Sequence, residues 1–136
     1  DLTGTILVDV DLSGMDLTGV VLAGDLSGKD LTGAILTGAD LSSTNLTNAI
    51  LTNANLENII LENAKLLDAN LSNANLSNAD LRNTLLVDTN LSNTTLTGSD
   101  LTGAVLIGAI LTGADLENAV LTNAILNCVG HPVCIS

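Results

Sequence analysis

The sequence predicts an all-β chain wound as a solenoid, and three observations carry that prediction. Leucine stands at every fifth position from Leu26 through Leu126, twenty-one times without a miss, and Leu2, Leu7, Leu12, Leu17 and Leu22 keep the same interval. The slots around each leucine hold consistent residue types along the chain. Finally, the 136 residues include no Phe, Tyr or Trp and one Pro, so a single residue type must fill the interior that ordinary cores fill with aromatics.

The five-residue step excludes the simpler elements. A helix turns about 100° per residue and would scatter the leucines around its circumference, while a plain strand needs a period of two. A short strand centred on leucine, followed by a turn that resets the alternation, points every leucine inward. Stacked layers of this kind draw their stability from layer and interface terms. Each buried leucine contributes about 1.5–3 kcal/mol before ordering entropy offsets most of the total.

With the leucine at position i, the i−2 slot is small, as at Ala34, Ala39, Ala49, Ala54, Ala64, Ala69, Ala74 and Ala79, and is expected inside. The i−1 slot holds Asp, Asn or a β-branched residue, and i+1 is mostly Thr or Ser. Gly, Asn or Asp at i+2 suits a turn that needs φ above zero or an Asx bond. Units such as Ala39-Asp40-Leu41-Ser42-Ser43 and Ala74-Asn75-Leu76-Ser77-Asn78 resemble the A(D/N)LXX unit of the pentapeptide-repeat family, over residues 1–127. The resemblance is closest to the leucine-centred members of cyanobacteria and chloroplasts. It implies a right-handed quadrilateral parallel β-helix, four pentapeptides per coil, with the i and i−2 side chains inside.

Side chains twenty residues apart should then stack on one face, and the exceptions to the pattern do recur at twenty. After Leu26, the aliphatic residues at i+1 are Leu67, Val87 and Ile107; on the same expected face the i−1 slots hold Leu85, Val105 and Ile125. Twenty-six units make about six to seven coils, roughly 30 Å tall at the usual strand spacing. One slip interrupts the rhythm near residues 22–26, where Leu22 is followed by Leu26. A distorted corner is expected there, with Gly24 supplying an unusual backbone conformation. Lys29, a charge in an interior slot, should splay its corner and release the amine to water. Ile59 in an alanine slot reads as a packing variation. So do the consecutive hydroxyls of Thr84, Thr89, Thr94 and Ser99, which should bond backbone carbonyls or an internal water.

The net charge is −12, with fifteen acidic residues against Lys29, Lys65 and Arg82. Direct binding to nucleic-acid phosphates is not expected. The acidity either keeps a chain of positive mean hydropathy soluble or builds an acidic rod that imitates DNA. No apolar run approaches the roughly 20 residues of a membrane span, and no membrane insertion is expected. Asp1 already stands inside the repeat, as expected of a processed mature form or of a trimmed chain that a targeting segment once preceded.

No catalytic residue, cofactor or metal is expected. His131 is the sole histidine, without a partner constellation for acid–base work. Cys128 and Cys134 flank a loop of turn formers; a disulfide there is the preferred reading over free thiols, and it would imply an oxidising compartment. One Cys pair plus one His does not complete a structural zinc site. Residues 128–136 read as a tail that caps the last coil. Asp80 and Asp100 should neighbour in a column with Asp40 two coils below, an arrangement that repeated turn geometry explains better than a cation. Glu62 and Arg82 should stack as an exposed pair of modest worth. The Asn-x-Ser/Thr triplets are products of the repeat.

The expected interaction surface is the outward aliphatic face of Leu67, Leu85, Val87, Val105, Ile107 and Ile125, extended in register to Ile6 and Val8. It is read as a docking or homodimer face for a protein partner of unknown identity, with the N-terminal end as a second place for self-stacking. Strand propensity alone, or cover by the tail, is the competing account. An adjacent ladder of Ser13, Thr32, Thr52, Ser72, Ser92 and Thr112 leaves ice binding as a remote alternative. The expected function is a non-enzymatic structural or protein-interaction scaffold in the thylakoid lumen or periplasm, with the cytoplasm as alternative. The family resemblance also brings in DNA-mimicking inhibition of DNA gyrase, although inhibitors of that type often place Phe at i and dimerise through a C-terminal extension, neither of which is seen here.

Overall fold

The structure, a computed structural model, describes residues 1–2, 7 and 10–134. Its backbone follows from where each pentapeptide sends its N–H groups. The leucine N–H donates to the i−1 carbonyl of the next coil, as from Leu46 to Lys65 (2.7 Å). The i−1 N–H donates backward to an i−2 carbonyl, as from Asn55 to Ala34 (2.9 Å), and the i+2 N–H donates forward to an i+1 carbonyl, as from Gly33 to Thr52 (2.9 Å). The i−2 N–H closes the local turn on the preceding leucine, as from Ala49 to Leu46 (3.0 Å). Four of five amide donors are thereby used in every regular unit.

The outcome is a ladder of parallel one-residue bridges rather than extended strands. Asp25, Asn45, Lys65, Leu85, Val105 and Ile125 form one column, each paired with the residue twenty positions on. The corners carry positive φ at Gly, Asn, Asp or Ser, with Asn73 at 60° and Asp88 at 54°. Asn and Asp tolerate this left-handed region better than other side-chain-bearing residues. The leucines from Leu12 to Leu111 and the alanines of the i−2 slots from Ala34 to Ala114 are buried in one continuous core. Ile59 sits in that core at an alanine position.

The slip is absorbed at a single corner. Asp16 pairs with Ile35 and Val21 with Asp40, nineteen residues apart, whereas Asp25 pairs with Asn45 at twenty. Gly24 takes φ 144°. The missing residue is the one whose N–H would satisfy the Leu22 carbonyl, and the Thr44 hydroxyl of the next coil donates to that carbonyl instead (2.9 Å, buried). Lys29 departs from the expected splayed corner. Its N–H donates to Leu26 (3.1 Å) and its carbonyl accepts from Ile50 (2.9 Å), so the ladder stays regular while the side chain is only partly buried. A lysine stem can lie along apolar surface without opening the backbone.

The other buried hydroxyls are satisfied by carbonyls. Thr84, Thr94 and Ser99 donate to Leu81, Leu91 and Leu96, and Thr89 reaches across to Leu66. At the C-terminal end the ladder reaches Val129, which pairs with Ile110 one residue short of the twenty-residue register. Cys128 and Cys134 form a disulfide, Cα atoms 4.9 Å apart, with Cys128 buried in the core. Leu116, Leu121 and Leu126 of the last coil are only half-buried, while Val133 and Cys134 of the tail pack against the core.

Candidate functional site

The i−1 slot has a definite structural task. Where it holds Asp or Asn, the side-chain oxygen accepts the i+1 N–H, which is the fifth and otherwise unused amide of the unit. Ser42 donates to Asp40 in this way (3.0 Å), Ser72 to Asn70 (3.1 Å), Ser92 to Asn90 (3.0 Å) and Thr102 to Asp100 (2.9 Å). Side-chain hydroxyls often add a second bond, which together with the backbone bond holds the Asp11, Asp16, Asp25, Asp30 and Asp40 carboxyls below their usual range. An aliphatic residue at i−1 forgoes this bond.

Leu85, Val105 and Ile125 forgo it on three successive coils. Among the described residues, no group accepts the Val87 or Ile107 N–H. Val87 and Ile107 occupy i+1 of the same units and Leu67 the unit below, so the six residues of the expected interaction surface do lie together. Ile107 is 42% and Ile125 51% exposed, and the other four are partly buried against their neighbours. Ile35 and Ile60 have polar residues above and below them in their columns, whereas Ile110 stands under Val129 alone. Ile6 and Val8 lie outside the described residues. Within the described part of the tail, Val129 pairs in the neighbouring column, above Ile110, and Ile125 stays exposed.

The remaining candidates resolve into local structure. Asp80 and Asp100 are bridge partners, and Asp40 reaches Asp80 through Ile60. Arg82 pairs with Glu62 (3.2 Å) as the register requires, but also folds onto Asp80 within its own turn (2.6 Å), a contact that sequence spacing did not reveal. The bond from Arg82 lowers the Asp80 pKa, and the Asp80 bond raises that of Arg82. His131 accepts the Val133 N–H through Nδ1 (3.1 Å) and orders the disulfide loop. Of the hydroxyl ladder, Ser13 and Ser92 bond their own Asp11 and Asn90 side chains. Among the described residues, no three His, Cys, Asp or Glu side chains gather as metal ligands, and no helix is long and apolar enough to cross a membrane.

A family model described as pentapeptide repeats matches in eight copies over residues 1–24, 23–53, 49–86, 64–103 and 99–129. The chain belongs to the pentapeptide-repeat family. Its architecture is accordingly that family's right-handed quadrilateral β-helix. Among solved structures it is similar to the pentapeptide-repeat protein Rfr23 of the cyanobacterium Cyanothece 51142, at 36% identity and a TM-score of 0.67, covering 87% of this chain and 89% of that one. A pentapeptide-repeat protein of the Arabidopsis thaliana thylakoid lumen is 28% identical over 79% of this chain and 72% of its own, with a TM-score of 0.37. QnrB1, a plasmid-mediated fluoroquinolone resistance protein, is 23% identical over 87% of this chain and 66% of its own, with a TM-score of 0.42. No curated protein matches.

Proposed function

We propose that this pentapeptide-repeat chain is a non-enzymatic interaction scaffold, six to seven coils tall, that docks a protein on the face of Leu67, Leu85, Val87, Val105, Ile107 and Ile125. One observation carries the reading: three successive coils give up the Asx bond of the i−1 slot in favour of aliphatic side chains that stand outward. These side chains are not part of the core, which lies on the opposite side of the backbone. Contiguous exposed apolar surface of this kind marks a docking site. The disulfide supports export to an oxidising compartment such as the thylakoid lumen or periplasm. Replacing Val87 and Val105 with Asp abolishes self-association or partner capture, measured by sedimentation and pull-down, with the circular dichroism spectrum unchanged. Association that survives both replacements overturns the reading.

A second reading, DNA mimicry directed at gyrase, is favoured by the net charge of −12. Against it, one i−1 column runs Asp25, Asn45, Lys65, Leu85 and so presents no continuous line of charge. Gyrase-catalysed supercoiling with increasing protein separates the two, since dose-dependent inhibition supports mimicry and unchanged supercoiling at large molar excess removes it.

A further inference from the structure

The apolar strip has an acidic edge that the fold does not need. Among the described residues, thirteen with side chains occupy positive-φ corners, and eleven of them are Asn or Ser. The two exceptions are Asp68 and Asp88, and both stand at the corner column directly after Leu67 and Val87. Asp9, which follows Val8 in the same slot of the sequence, lies outside the described residues. Asn adopts this conformation as readily as Asp, so the turn itself does not call for a charge here.

These two carboxylates also differ from the rest in their bonding. The i−1 aspartate side chains are tied to their own turns, whereas among the described residues no hydrogen bond holds the Asp68 or Asp88 carboxylate. The Asp88 carboxylate folds upward onto Gly108, where a Cβ would collide with its Oδ1, as the Asn78, Asn83 and Asn93 side chains fold onto Gly98, Gly103 and Gly113. Of these four corners, the one beside Ile107 is where the rising group is a carboxylate. On the other flank the Glu62 carboxylate is already engaged by Arg82.

Resting on the docking face proposed above, we infer that its occupant is a basic amphipathic helix of a partner protein. The strip from Leu67 to Ile125 rises three coil spacings, about 14 Å, which matches about ten residues of helix. Apolar residues one turn apart would meet successive coils, since the helical pitch of about 5.4 Å is close to the coil spacing. Lys65 stands below Leu85 at the foot of the strip, so the helix's Lys or Arg residues belong on the side facing Asp68 and Asp88, with none over Lys65. A second copy fits poorly, because each molecule would bring the same carboxylate edge and a charge of −12 to the contact.

The test uses the whole protein and two synthetic amphipathic helical peptides of the same apolar face, one flanked by Lys and one by Glu, titrated by calorimetry at physiological salt. The variants are D68N/D88N, which inserts the residue common at other corners, and V87S/V105N, which inserts residues the repeat already uses in those slots. The Lys peptide is expected to bind wild type, to lose roughly 3–10-fold in D68N/D88N, as two edge ion pairs imply, and to lose binding in V87S/V105N. The Glu peptide is expected not to bind. Equal binding of both peptides, or an unchanged affinity in D68N/D88N, overturns the basic partner while leaving the docking face standing. Lys-peptide binding that survives V87S/V105N is diffuse charge attraction and overturns both. Binding of neither peptide overturns this inference alone, since self-association is measured separately.

Discussion

Replacing Thr44 with valine tests whether one hydroxyl repairs the slip. In a regular corner the leucine carbonyl accepts the N–H of the i−2 residue; after Leu22 that residue is missing, and the Thr44 hydroxyl is the partner the structure shows for the carbonyl. Leu22 is 3% exposed and Thr44 fully buried, so water does not replace the lost donor. Valine keeps the shape and removes only the hydroxyl, leaving a buried acceptor unpaired at a cost of about 1–3 kcal/mol. Thr84 provides the control. Its hydroxyl donates to Leu81 (2.6 Å), but the Thr84 N–H donates to the same carbonyl (3.3 Å), so Thr84→Val should cost less than about 1 kcal/mol. With no Trp or Tyr to report by fluorescence, urea unfolding followed by circular dichroism is the assay. A lower midpoint at unchanged slope is expected for Thr44→Val. Equal midpoints for the two variants would refute the assignment of Thr44 as the replacement donor.

Other consequences are equally direct. Ile59→Ala should destabilise the chain by about 2–5 kcal/mol, because a fully buried side chain is cut back inside a packed layer; a midpoint shift under about 1 kcal/mol would mean that the layer collapses to fill the gap. Gly24→Ala should cost about 1–3 kcal/mol from backbone strain at φ 144°, checked by the same unfolding assay. Reducing the disulfide should release the last rung, seen as faster hydrogen exchange at the Val129 amide, now bonded to Ala109 (2.9 Å), with the Leu46 and Leu66 amides unaffected. The pH response has a definite sign. The Asp25, Asp40 and Asp80 carboxyls titrate lower when folded, so the stability they confer is complete above the ordinary carboxylate range and is lost as pH falls through their depressed values; NMR titration of R82Q should show Asp80 moving back up.

The repeat was legible because its period admits a single solution. Once helix and plain strand are excluded, the interior positions of Leu and Ala follow residue by residue, and so does the stacking of Leu85, Val105 and Ile125. The family followed from the same slots. Legibility ended at bonds that join different coils or depend on side-chain rotamers. Thr44 is one threonine among many in the sequence, and its partner is identified only when the slip brings it over Leu22. Arg82 has the spacing for Glu62, yet its closer contact is with Asp80, two residues away. The signal for the acidic edge was present in the sequence, since Asp occupies the corner slot at few positions, but its meaning required the column that places those corners beside the aliphatic strip.

Spacing along one chain thus determined the coil, the core and the outward faces, because a five-residue period constrains every unit in the same way. Tertiary structure alone decided which carbonyl lacked a donor, which carboxylates remained unpaired, and that the terminal layer of Leu116, Leu121 and Leu126 is only partly covered. Those outcomes depend on distances between residues about twenty positions apart, where a few tenths of an ångström separate a hydrogen bond from none.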